Sequence, residues 1–280
     1  MQIINHLLYD DNGAPYRFVN SPNYPHNTRL TACDYLIIHY TTGTNPSQTI
    51  NWFTSPKAMA VAHLLITRQG EIIQFVPFNT VAWHAGNSQW ADRTSLNRYS
   101  IGIELDNAGR LVRDRNQGPW KRLNITFSDD QVLVAIHKLQ TEPMGWEIYP
   151  QAQLDALIQV GKLLKAMYNF IDVLGHDDVS LSGKLDPGPA FDTVGIRNEI
   201  MGFRPDQRFV FKNFAPGTVL RTASRERSDA TGSLPRGREV AVIDTHRNWV
   251  QVQQVLPDNI LGSLTGWMLE RSLKRMRTLA

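Results

Sequence analysis

The chain has 280 residues, 42% of them hydrophobic and 20% charged, with a formal net charge of +3 and one cysteine, Cys33. These values describe a globular protein with enough apolar residues for a core, longer than the usual single domain of roughly 100–200 residues. They exclude an internal disulfide framework and a Cys-rich zinc module, and no apolar run approaches the roughly 18 residues needed to span a membrane.

The charge is unevenly divided. Residues 1–200 carry 16 Lys and Arg against 19 Asp and Glu, whereas residues 201–280 carry 13 against 7. A basic C-terminal part suits attachment to something anionic, with plain solubilising charge as the other reading.

Residues 1–32 are rich in Asn, Pro and Tyr without a period, which predicts an extended arm. Asp34 to Tyr40 is a nearly continuous apolar run, the pattern of a buried central strand. Thr41 to Pro46 reads as a loop, and Ser47 caps a helix through about Phe53. Ala62 to Thr67 and Glu71 to Val76, joined through Gly70, read as a hairpin. Trp83 to Trp90 is an irregular aromatic loop, and Ser100 to Asp106 alternates as a strand carrying Glu104.

Residues 107–127 are polar and loop-like, an excursion over a site. A weak segment follows from Asp129 or Asp130 to about His137. Leu154, Leu157, Ile158, Gly161, Leu164, Ala166 and Met167 form a helical face within Tyr149 to Tyr168. A last helix is expected from Thr193 to Phe203. The alternation predicts an α/β domain, a central mixed β-sheet flanked by helices, over 1–203. From about Gln207, short β-rich pieces separated by Gly, Pro, Asp and Asn predict a small all-β barrel over 208–280.

Between the two long helices lies Gly175-His176-Asp177-Asp178, followed by Gly183-Lys184-Leu185-Asp186-Pro187-Gly188-Pro189. Its glycines and prolines predict a loop. His39 and His176 sit where strands end, the place where open α/β sheets hold ligand chemistry, and Asp186 adds an oxygen donor. On composition His63 and His84 compete as ligands, Asp186 is also what a turn before Pro187 needs, and Glu104 is also an ordinary strand carboxylate.

Taken together, Tyr35-Leu36-Ile37-Ile38-His39-Tyr40-Thr41, Ala62-His63-Leu64-Leu65-Ile66, Trp83-His84-Ala85-Gly86, Ser100-Ile101-Gly102-Ile103-Glu104-Leu105, Gly175-His176-Asp177 and Lys184-Leu185-Asp186-Pro187-Gly188-Pro189 resemble the zinc-dependent N-acetylmuramoyl-L-alanine amidases. The resemblance covers roughly residues 30–200, with several motifs in order. It implies Zn2+ held by His39, His176 and Asp186, with Glu104 as catalytic glutamate and Lys184 beside the developing oxyanion. His63 and His84 match family positions that are not ligands.

The implied reaction is hydrolysis of the amide between N-acetylmuramic acid and L-alanine. The implied partner is peptidoglycan or a muropeptide, with no nucleic acid and no membrane span. Trp83, His84, Asn107 and Trp120 are the candidate substrate contacts, local packing being the other reading of the tryptophans.

The stretches Gly217-Thr218-Val219-Leu220-Arg221, Pro235-Arg236-Gly237, Asn248-Trp249-Val250-Gln251-Val252 and Gly266-Trp267-Met268 resemble bacterial SH3-like domains, with Trp249 and Trp267 read as core residues. That resemblance implies wall binding, or an arm that narrows the groove. The start of the chain, MQIINHLLYDDNGAPYRF, lacks the pattern of a signal peptide. The expectation is therefore a cytoplasmic protein, with periplasm or wall if a leader was removed or export takes another route. Two other functions fit the same motifs: a non-catalytic peptidoglycan receptor, and a zinc peptidase acting on the stem peptide.

Overall fold

A computed structural model describes residues 1–90, 93–113, 118–202, 209–213, 218–246, 249–255 and 261–278. Its centre is a six-stranded mixed sheet, in the order Asp172–Gly175, Tyr35–Tyr40, Ser100–Leu105, Leu64–Ile66, Ile72–Gln74, Arg17–Phe18. The first four strands run parallel. Ile72–Gln74 is antiparallel to Leu64–Ile66, and Arg17–Phe18 runs parallel to Ile72–Gln74.

Every residue of Tyr35–Tyr40 is buried, because a parallel central strand is covered on both faces. Leu36 and Ile38 join Ile101, Ile103 and Leu105 beneath the helices, while Tyr35 and Ile37 pack on the opposite side with Leu96, Leu174 and Val179. Side chains alternate along a strand, so His39 shares the face of Tyr35 and Ile37, and Glu104 faces away from Ile103 and Leu105. The hydrophobic pattern thus delivers both polar groups to the side of the sheet that the long helix does not cover.

Helix Gln151–Tyr168 buries Ala156, Leu157, Val160 and Leu164 against the first face, and helix Thr193–Met201 adds Ile196 and Ile200. Full burial of a leucine such as Leu157 or Leu164 contributes about 2 kcal/mol. Gly161 allows the two helices to close, since a Cβ there would lie 2.6 Å from Ile200 Cδ1. Pro150 stands at the N-cap, so the long helix starts at Gln151 rather than Tyr149. Met167, expected on the apolar face, is exposed. The last helix stops at Met201, where Gly202 takes the left-handed conformation that ends helices, with φ 74°.

Several other expectations are corrected. The first helix is Pro46–Thr54, and its cap is Asn45, whose side chain accepts the Ser47 N–H at 2.8 Å. Pro46 suits the first helical turn because no partner is needed for its missing N–H. The N-terminal arm is partly regular: Gln2–Ile4 and Leu7–Tyr9 form a hairpin, and Arg17–Phe18 is the sheet's edge strand. The excursion after Leu105 is a five-stranded antiparallel sheet, in the order Ile125–Phe127, Trp120–Arg122, Arg110–Arg113, Pro143–Glu147, Val132–Ile136. Its small core of Ala108, Leu111, Phe127 and Val132 is too short and too spaced for periodicity to reveal.

The C-terminal part is all-β, as expected. Seven strands run in the order Ala230–Leu234, Thr218–Arg221, Leu261–Leu269, Trp249–Val255, Glu239–His246, Phe209–Asn213, Leu273–Thr278, every pairing antiparallel. Leu220, Leu234, Val240, Val250, Val252 and Met268 form its core, and Trp249 and Trp267 are buried. The expected boundary, 203–208, lies outside the described residues. No described helix is long and apolar enough to cross a membrane.

Candidate metal centre

His39 comes from the second-to-last position of the central strand, and Glu104 is its direct partner in the parallel pairing with Ser100–Leu105. His176 follows the neighbouring strand Asp172–Gly175. The stretch expected as a loop is therefore strand, then a one-turn helix His176–Val179, then loop. The Asp177 N–H donates to the Asp186 carbonyl at 2.7 Å, which folds the loop back so that Asp186 meets His176. The Gly175 N–H donates to Asp178 Oδ2 at 2.8 Å and steadies the turn. Tyr149 donates its hydroxyl to the Pro187 carbonyl at 2.8 Å from the other side.

His39, His176 and Asp186 converge, all three buried, with one donor atom from each within 4.8 Å of the others. Asp186 Oδ2 lies 3.0 Å from His39 Nδ1 and 2.9 Å from His176 Nδ1. Burial alone would raise the Asp186 carboxyl, but the His176 and His39 imidazoles outweigh it and hold the group well below the usual carboxylate range. Burial lowers His39 to about 4, reinforced by His176, so its ring is neutral and has a lone pair for a ligand. Two imidazoles and one carboxylate are a three-ligand donor set suited to a divalent cation with an open position.

Glu104 lies beside this cluster. Burial raises its carboxyl to about 8, with Asp186 adding to the rise and Lys184 opposing it. Glu104 Oε2 is buried without a hydrogen-bond partner. An ionisable oxygen in that condition costs stability, and such groups concentrate at reactive sites.

All of these residues line a cavity of about 660 Å³ together with Tyr40, Trp52, Trp83, His84, Arg110, Arg122 and Lys184. Lys184 is exposed on the rim. His84 Nδ1 is 3.0 Å from His39 Nε2, so its ring holds the His39 imidazole in place. Gly102 makes room for that ring, because a Cβ would lie 2.5 Å from His84 Cγ. His63 is buried beneath, bridging the Thr80 carbonyl and the Gly102 N–H at 2.9 and 3.0 Å, and does not line the cavity.

Two expected substrate contacts sit elsewhere. Asn107 is fully buried; it accepts the Gly109 N–H at 2.7 Å and donates to the Glu147 carbonyl at 3.3 Å, holding the turn into the second sheet. Trp120 packs its ring on Gly145 and donates to Asp129 Oδ1 at 3.0 Å, outside the cavity lining.

Sequence reasoning missed Tyr40, Trp52, Arg110 and Arg122 in the lining, and His137 and Lys138 behind the centre. His137 Nε2 is 2.9 Å from Asp177 Oδ2, and Lys138 Nζ is 2.5 Å from Asp178 Oδ1. Only Tyr40 carried a signal, as the neighbour of His39 at a strand end.

A mixed sheet that presents such a donor set beside a glutamate with a buried, unpartnered oxygen has the arrangement of a metal-dependent hydrolase. The profile of the N-acetylmuramoyl-L-alanine amidases matches residues 29–189, and the chain belongs to that family. It is 34% identical over 159 residues to the 1,6-anhydro-N-acetylmuramyl-L-alanine amidase AmpD of Escherichia coli, covering 56% of this chain and 67% of the relative. It is 30% identical over 202 residues to the N-acetylmuramoyl-L-alanine amidase AmiD of the same organism, covering 68% of this chain and 62% of that one. A crystal structure of a selenomethionine AmpD derivative aligns over 69% of this chain and 95% of the other, with 26% identity and a TM-score of 0.44. The matches span between 53% and 67% of the curated relatives' lengths.

Proposed function

We propose that the chain is a zinc-dependent amidase that hydrolyses the bond between the lactyl group of N-acetylmuramic acid and L-alanine, in peptidoglycan or in soluble muropeptides. The observation that carries this reading is the convergence of His39, His176 and Asp186 beside an unpartnered Glu104 on one cavity, in a member of the amidase family.

His39, His176 and Asp186 would hold the ion. Zinc bound there supplies Lewis acidity near neutral pH. Glu104 Oε2 takes a proton from the attacking water and returns it to the nitrogen of the leaving L-alanine, a task that suits a carboxyl raised toward neutrality. The Lys184 ammonium, on the cavity rim, offsets negative charge developing on the lactyl carbonyl oxygen. His84 keeps the His39 ring oriented. The exposed faces of Trp52 and Trp83 border the cavity where a glycopeptide would lie.

We read the chain as two units, an amidase unit over 1–203 and an SH3-like unit over 208–280. Residues of both units, among them Lys138, Phe191, Asp244 and Trp267, border a shared crevice of about 700 Å³, which supports a docked second unit.

Mass analysis of a digested muropeptide tests the reading. Release of a peptide beginning with L-alanine supports it. A shortened stem peptide still attached to the sugar would point to a peptidase, and binding without cleavage to a receptor. Running intact sacculus beside soluble anhydro-muropeptide tells which substrate is preferred.

A further inference from the structure

The sheet folded out between Leu105 and the long helix places two arginines over the cavity. Arg110 begins the strand Arg110–Arg113, Arg122 ends the neighbouring strand Trp120–Arg122, and both line the cavity. Several other arginines of the amidase unit are paired: Arg68 with Asp106 and Glu147, Arg93 with Asp34, and Arg197 with Asp172. Among the described residues no acceptor pairs with Arg110 or Arg122, and Arg122 Nε is buried with no partner.

The Tyr40 phenol lies within electrostatic reach of both guanidiniums. Its ring occupies space that only a glycine at 109 leaves open, since a Cβ there would lie 2.5 Å from Tyr40 Cζ. Two guanidiniums on one cavity wall, one with a buried and unsatisfied N–H, are a costly arrangement unless an anion joins them. A guanidinium fork matches a carboxylate in two parallel hydrogen bonds, and a phenol adds a third donor.

We propose that Arg110, Arg122 and Tyr40 form a carboxylate-binding subsite that takes a free carboxylate of the peptide leaving group. The inference rests on the amidase reading for its choice of ligand. On the sugar side of the scissile amide, N-acetylmuramic acid with its lactyl group in amide linkage carries no charge, whereas the peptide side carries the carboxylates. The subsite would thus select substrates by the ionisation of the peptide, while the zinc ligands and Glu104 act on the bond.

The test compares N-acetylmuramoyl-L-alanyl-D-glutamate with its bis-carboxamide, using the full chain loaded with zinc. We expect the unmodified protein to favour the free acid about tenfold or more in kcat/KM, the difference residing in KM. Arg122→Gln and Arg110→Gln should each narrow that preference by about tenfold, with Arg122→Lys intermediate because it keeps the charge and loses the fork. Equal kcat/KM for the two substrates in the unmodified protein would overturn the proposal whether or not the variants fold. So would variants that lower both substrates alike.

Calorimetric titration with free L-alanyl-D-glutamate separates the two readings. If neither substrate is cut, the amidase reading fails, and the titration alone decides the subsite. Binding that weakens about tenfold in Arg122→Gln sustains it, and no binding to the unmodified protein removes it.

Discussion

Glu104 is the register partner of His39 across two parallel strands, so a candidate metal ligand and a candidate base stand side by side on one face of the sheet. Neither depends on a mobile loop for its position. Changing Glu104 should therefore remove chemistry and leave the metal in place. Glu104→Gln is expected to lower kcat on a muropeptide by about 10²–10⁴-fold, the usual span for losing a general base. Zinc content by elemental analysis should stay at the level of the unmodified protein. Full activity in this variant would sink the assignment.

Zinc should stabilise the fold, because the three donors come from two strand ends and a loop that the ion would clamp together. At about 100 times the dissociation constant, a ligand specific to the folded state adds about 2.7 kcal/mol. The melting temperature should rise on adding zinc to chelator-treated protein. It should not rise in His176→Ala or Asp186→Ala, and activity lost to a chelator should return with zinc.

Gly102→Ala tests the packing of His84. The added methyl group would press on the His84 ring, which in turn holds His39. Overpacking of this kind costs about 1–3 kcal/mol. We expect a lower unfolding midpoint in urea together with weaker zinc affinity. A stability loss with unchanged zinc affinity would show that His84 does not position His39.

His63 gives a pH dependence of known sign. Burial lowers it from 6.5 to about 4, only partly offset by its bond to the Thr80 carbonyl. Between those two values the unfolded chain binds more protons than the folded one, so stability rises with pH across the window and falls on acidification toward 4. At about 1.4 kcal/mol per pKa unit the loss approaches about 3 kcal/mol. His63→Gln keeps a donor and an acceptor for Thr80 and Gly102 but does not titrate. Its melting temperature should fall less than that of the unmodified protein between about pH 7 and about pH 5. Parallel curves would refute this role.

Arg68 ties the central sheet to the added one. Its guanidinium is bonded to Asp106 Oδ2 at 2.5 Å and to Glu147 Oε1 and Oε2 at 2.7 and 2.9 Å, and both carboxylates are buried. Arg68→Ala leaves two buried carboxylates without their cation, a loss of about 3–5 kcal/mol. Chemical denaturation measures it. Restoration by Asp106→Asn in the same chain would confirm that the unpaired charge is the cause.

Local patterns carried much of this protein. An unbroken apolar run marked the central strand, apolar spacing marked the long helix, and glycine and proline marked the return from His176 to Asp186. The motifs around His39, Glu104, His176 and Asp186 were legible because each is short and bound to one element's end. The five-stranded sheet was not legible. Its strands are three to five residues long and half-exposed, so neither period stands out, and they are joined through pairings that connect residues far apart in sequence.

That sheet accounts for the places of Asn107 and Trp120, which brace it and lie outside the cavity lining. It also explains why Arg110 and Arg122 escaped notice. Composition and pattern were sufficient for the α/β class and the all-β C-terminal part, since those follow from which side chains alternate and where strands stop; His39, His176 and Asp186 were singled out among competing residues only by the resemblance of several motifs taken together. Folding in three dimensions settled which of four histidines converge, which aromatic residues reach the cavity, and which arginines are left without a partner. Those outcomes depend on distances between elements that no local period encodes.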